Sequence, residues 1–171
     1  MKKFILFFLL SLIATGCGAG GEGDGPTGFK ITPGSVTKFT IIPKSYNVSY
    51  DGEEKRGDYA VVFLGTVNDE NYVGIAVSSN PDNDTSFNLK MYFRGNAIPA
   101  SYTLKHDVST DVITVRNEGS AAFSDPATWT GTLALTFANN NDGTYTITGA
   151  GSPTVGGKTL TVTEITALKV P

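Results

Sequence analysis

The chain has 171 residues, of which 40% are hydrophobic, with 13 basic and 16 acidic side chains and a formal net charge of −3 at pH 7. That balance supplies no basic footprint for a polyanion, so nucleic-acid binding is set aside. A single cysteine excludes an intramolecular disulfide and a thiolate metal cluster, and one histidine without a second soft ligand cannot build a typical zinc site.

In chain order the first feature is a leader. Lys2 and Lys3 precede an apolar run over 4–13, and Ala14, Thr15 and Gly16 lead into Cys17. A charged start, a short apolar stretch and small residues at its end are the three parts of a secretory signal. About ten apolar residues are too few to span a bilayer as a helix, which needs roughly 20. Residues 1–16 are therefore expected to be cleaved.

The 14–17 site resembles the lipobox of bacterial lipoproteins, in which a cysteine after a small residue is acylated and becomes the new N-terminus. Ala14 stands where that family most often has leucine. The resemblance implies lipidation of Cys17 with more than one acyl chain, which is what lasting membrane attachment requires. Gly18 rather than aspartate follows the cysteine. By resemblance to the enteric sorting rule, this implies the outer membrane over the inner. In general character the chain resembles the small all-β envelope lipoproteins of unknown function in Gram-negative bacteria, a likeness limited to the N-terminal segment. Loss of Lys2 and Lys3 with the leader leaves 11 basic against 16 acidic residues, a mature charge of about −5.

Residues 17–28 carry six glycines together with Glu22 and Asp24. Such a segment has little to bury and much backbone entropy to lose, so it reads as a flexible tether. Residues 29–171 form one candidate domain, a length that suits a single hydrophobic core.

Within it, alternation of apolar and polar residues replaces any helical period. Short strands are expected over 36–42 and 46–50, then a charged turn over 51–58. Two β-rich strands follow, over 59–67 and 72–78, joined by a hairpin turn at 68–71. In 87–94, Phe87, Leu89, Met91 and Phe93 share one face, expected to point inward. Asn88, Lys90, Tyr92 and Arg94 share the face expected to meet water. Strands over 100–104, 112–116 and 121–123 come next.

The segment 130–149 reads as a hairpin with Leu133, Leu135 and Phe137 facing Tyr145 and Ile147, and with threonines on the outer side. In 158–170 the apolar phase shifts near Glu164, which predicts a bulge. The sum is an all-β fold of about ten strands, an antiparallel β-sandwich, with a lipocalin-like or Greek-key β-barrel as the alternative.

Chemistry is sparse. His106, beside Asp107, has no local signature of a nucleophile next to it, and the paired carboxylates Glu53-Glu54 and Asp69-Glu70 sit in charged turns. The chain is read as not an enzyme and as needing no cofactor. Asn80, Asp82 and Asp84 cluster oxygens of the kind calcium takes, in a run resembling the start of an EF-hand loop. Thr85 and Met91, however, occupy the positions where that loop has glycine and glutamate. The same residues would also serve a plain turn, so no metal site is assigned.

Trp129, the single tryptophan, and Tyr92 are the candidate contacts for a sugar or a partner side chain. The tryptophan has core packing as its other reading. The function expected is that of a lipid-anchored envelope protein whose non-catalytic β domain binds a polysaccharide or protein partner. The alternative is a lipocalin-like carrier of a small apolar ligand.

Overall fold

The computed structural model describes residues 44–80, 83 and 85–170. The leader, Cys17, the tether and the strand expected over 36–42 lie outside the described residues. Those described form eleven strands: β1 (Ser45–Tyr50), β2 (Glu53–Gly57), β3 (Tyr59–Val67), β4 (Glu70–Ser78), β5 (Asn88–Arg94), β6 (Ser101–Lys105), β7 (Val112–Arg116), β8 (Thr132–Asn139), β9 (Thr144–Ala150), β10 (Thr154–Val155) and β11 (Lys158–Val170). One short 3₁₀ turn, Pro126–Thr128, interrupts them, capped by the Asp125 carboxylate accepting from the Ala127 amide.

Turn chemistry sets the hairpins. Asp51 and Gly52 (φ 58° and 79°) close β1–β2, and Asn68 and Asp69 (φ 48° and 64°) close β3–β4. Two successive residues at positive φ are what a two-residue hairpin loop needs to match strand twist. Asn and Asp are the non-glycine residues that bear this best.

The strands join in the order β6-β8-β9-β11-β3-β4-β5-β7, with the β1–β2 hairpin and β10 added along β11. β11 organises the sheet: its first half pairs with β1 and its second half with β9, both antiparallel, and its last residues run parallel to β3. The expected bulge is there, since Asn47 faces Glu164 while the next residue, Val48, faces Val162.

The all-β, sandwich-like reading holds, but the sheet is mixed rather than wholly antiparallel. β1 runs against β11 and a single hairpin reverses the chain into β2. The strand that follows, β3, must therefore run with β11 when it returns to the same edge.

The path is not closed, because β6 and β7 end it without pairing to each other. That departs from the barrel alternative. The sheet instead folds over so that distant strands meet across one core. Phe93 of β5 stacks on Tyr102 of β6 with centroids 4.0 Å apart, and Phe87 lies against Tyr46 and Tyr50 of β1. Large side chains fill this interior, among them Ile75, Leu89, Met91, Leu133 and Ile165. Between the two free ends of the path, Asp111 acts as a clasp. Its carboxylate accepts from the Tyr102 hydroxyl (2.9 Å) and the Lys105 amide (3.0 Å), tying β6 to the start of β7.

Three other expectations are corrected. Residues 51–58 are a turn only at Asp51 and Gly52, and Glu53–Gly57 are β2, an edge strand of the charged kind that disfavours pairing with another chain. Its inward Lys55 reaches Glu53 (2.8 Å) and Glu118 (3.5 Å). Residues 121–123 form no strand; Ser124 instead serves as the neighbour of β7, exchanging bonds with the Val115 backbone. Finally, the second face of β5 is not simply solvated, and this bears on the site.

Candidate functional site

Among the described residues singled out from the sequence, Trp129 and His106 meet, and Tyr92 lies on the other side of the sheet. Trp129 follows the 3₁₀ turn into the interior, where it is 3% exposed, donates from Nε1 to the Asp111 carbonyl (3.3 Å) and meets the His106 ring edge-on. A ring so enclosed cannot stack on a partner, so the expectation of a Trp129 contact is corrected to core packing. His106 itself is exposed at a strand end, with Nδ1 3.4 Å from the Gly131 carbonyl. Tyr92 lies on the opposite side of the sheet, half-buried and edge-on to Phe63 at 6.2 Å. Burial pushes its hydroxyl well above the ordinary tyrosine range. Of the calcium-type oxygens, Asp82 and Asp84 lie outside the described residues, while Asn80 accepts through its carbonyl from the Ser86 hydroxyl and the Asn83 amide.

The face that Tyr92 shares holds a cluster that alternation alone does not reveal. Strand register places Lys90 of β5 opposite Thr114 of β7, and Asn88 opposite Arg116, so Lys90 and Arg116 are diagonal neighbours on one side of the sheet. The segment after β7, held by Ser124 against Val115, lays Phe123 over both. The Lys90 ammonium is 4.3 Å and the Arg116 guanidinium carbon 5.1 Å from that ring's centroid.

Arg116 is only 8% exposed, and its Nε is buried without a hydrogen-bond partner. Lys90 is half-buried, and desolvation, with the Arg116 charge second, pulls its ammonium down from 10.5 to about 8. Among the described residues no carboxylate reaches either cation, although Arg94 at the far end of β5 pairs with Glu70 and Lys55 with Glu53. Around the pair the face is polar at Asn88 and Thr114 and apolar toward Phe63, Ala76 and Val170.

The sequence signal for this cluster was present but incomplete. Alternation put Lys90 on the second face of its strand, and Arg116 closed the strand 112–116. That the two strands are adjacent, and in which register, is written in neither segment. Comparisons with protein-family models, curated proteins and solved structures returned no match for this chain.

Proposed function

We propose that the chain is a lipid-anchored cell-envelope protein, held at the outer membrane through Cys17, whose non-catalytic β domain binds a partner outside the bilayer. The observation that carries this reading is the segment from Lys2 to Cys17, a leader ending in a lipobox-like site and followed by six glycines within eleven residues. Acyl chains on Cys17 would hold the protein, and the tether would let the domain stand clear of the surface, with an r.m.s. reach of roughly 17–20 Å. A fold whose interior is filled by Ile75, Leu89, Met91, Leu133 and Ile165 supports binding at an outer face over carriage of a ligand within.

The test is mass spectrometry of the N-terminal peptide together with protease treatment of intact cells. An acylated peptide beginning at Cys17 and loss of the domain under external protease are the expected results. An unmodified cysteine, or a chain that keeps its leader, would overturn the anchoring.

A further inference from the structure

We propose that Lys90, Arg116 and Phe123 form a binding site for an oxyanion, a phosphate, sulfate or carboxylate group. The site is distinct from the anchor and names the chemistry of the partner on which the preceding reading rests.

Three observations converge on it. First, a guanidinium that is nine-tenths buried keeps its Nε without a partner. Buried polar groups are satisfied as a rule, and an exception calls for a ligand or another compensating cause. Second, a second cation is held beside it with no carboxylate within reach among the described residues. Two like charges brought together in a poorly solvated place repel, and an arriving anion would relieve both the repulsion and the lost hydration.

Third, the cations are positioned rather than loose. Each is fixed by strand register, and the Phe123 ring lies over both, itself placed by the paired bonds of Ser124 to Val115. An arginine fork supplies two parallel donors and a lysine ammonium a third, a donor set matched to an oxyanion. Thr114, directly opposite Lys90, adds a hydroxyl on the same face. An anion bound within about 4 Å of the Lys90 ammonium would favour its charged form and so raise its lowered value. The groups facing that ammonium are Arg116 from β7, Tyr92 from its own strand and Phe123 from the following segment, while Ala76 of β4 brings no charge.

The experiment uses the full mature chain in neutral detergent at constant ionic strength, with sodium phosphate, sulfate and acetate each compared against chloride. Saturating phosphate is expected to raise the melting temperature by about 5–10 °C. Lys90→Met is expected to weaken the apparent affinity at least about tenfold, and Arg116→Lys, which keeps the charge but loses the fork, by a similar factor. Should Arg116→Lys not fold, the Cε resonance of Lys90 gives a second measurement, because phosphate should shift its titration to higher pH. The source of the group is separated by sedimentation with vesicles. Binding to phosphatidylglycerol but not phosphatidylcholine, abolished in Lys90→Met, would assign the oxyanion to a lipid headgroup. Response to soluble anions alone would assign it to a free or sugar-borne group. A melting temperature indifferent to all three anions, or an anion effect retained in both variants, would overturn the site. The melting and titration results do not depend on whether Cys17 is acylated, and the vesicle comparison uses a Cys17→Ser chain that carries no acyl group, so failure here is distinct from failure of the anchoring proposal.

Discussion

Replacing Lys90 by methionine should stabilise the protein at neutral pH, and by an amount that shrinks as the pH rises. The substitution removes the ammonium but keeps an unbranched stem against Phe123. The folded-state value of Lys90 is about 8 against an ordinary value of 10.5, so between those limits the folded chain binds fewer protons than the unfolded one. Stability then rises with pH across that window, and the penalty for holding the charge is fully present below it.

At one pKa unit per 1.36 kcal/mol, the penalty is about 3 kcal/mol at pH 7 and about 1.5 kcal/mol at pH 9.5. Attraction between the ammonium and the Phe123 ring offsets about 0.5–1 kcal/mol of this at pH 7, and little at pH 9.5, where the folded-state amine is neutral. Lys90→Met should therefore be more stable than the parent by about 2.5 kcal/mol at pH 7, with the gap narrowing to about 1.5 kcal/mol at pH 9.5. Tyr92, pushed up by burial, ionises only above the window, so it cancels in the difference. Urea denaturation followed by far-ultraviolet circular dichroism, in chloride buffers at a series of pH values, measures it. Two stability curves running parallel from pH 7 to 9.5, or a variant less stable at neutral pH, would refute the burial of a charged amine on this face.

Trp129→Ala should cost about 3–5 kcal/mol in the same denaturation assay, the range for an aromatic core residue, whereas a loss under about 1 kcal/mol would mark the ring as a surface group. Gly74→Ala should cost about 1–3 kcal/mol, because the added methyl would overlap the Phe63 ring that lies across it on β3; a cost under about 0.5 kcal/mol would mean the ring is free to move aside. Burial pushes Tyr46 and Tyr102 up to about 12, so the stability they lend is present below their ordinary value of 10 and is lost as the pH rises through 12. Absorbance of phenolate should accordingly show Tyr46 and Tyr102 ionising only as the β circular dichroism disappears. A single titration near 10 with the dichroism intact would contradict this.

Much of the sheet was legible because short-range rules governed it. Alternation found the inward row Phe87, Leu89, Met91 and Phe93, all at most 1% exposed. The phase change near Glu164 found the bulge in β11, and Asn and Asp at 68 and 69 marked a turn whose φ values only such residues hold easily. The miss at β2 has a local cause: Glu53, Glu54, Lys55 and Arg56 look like a solvated loop by composition. Pairing with β1 decided otherwise, as edge strands can be charged without losing their ladder. The parallel join of β11 to β3 was out of reach because it follows from the direction of the chain after a hairpin, a property of the whole path.

The candidate site failed to show in the sequence for a related reason. A lysine on the outer side of a strand is ordinarily a solvated charge, and the same holds for an arginine at a strand end. What changes their meaning is the register that sets Lys90 beside Thr114 and Arg116 beside Asn88, and the backbone bonds of Ser124 that lay Phe123 across the pair. Each of these is a pairing between residues two dozen or more positions apart, or a cover supplied by a stretch without regular structure. Trp129 shows the converse. Its rarity drew notice, yet the Asp111 carbonyl and the closed core around it give that ring a structural task. Chemical distinctiveness in a sequence marks where side chains are costly to leave unsatisfied, and only the pairing of strands tells whether the protein satisfies them itself, as at Trp129, or leaves them for a ligand, as proposed at Arg116.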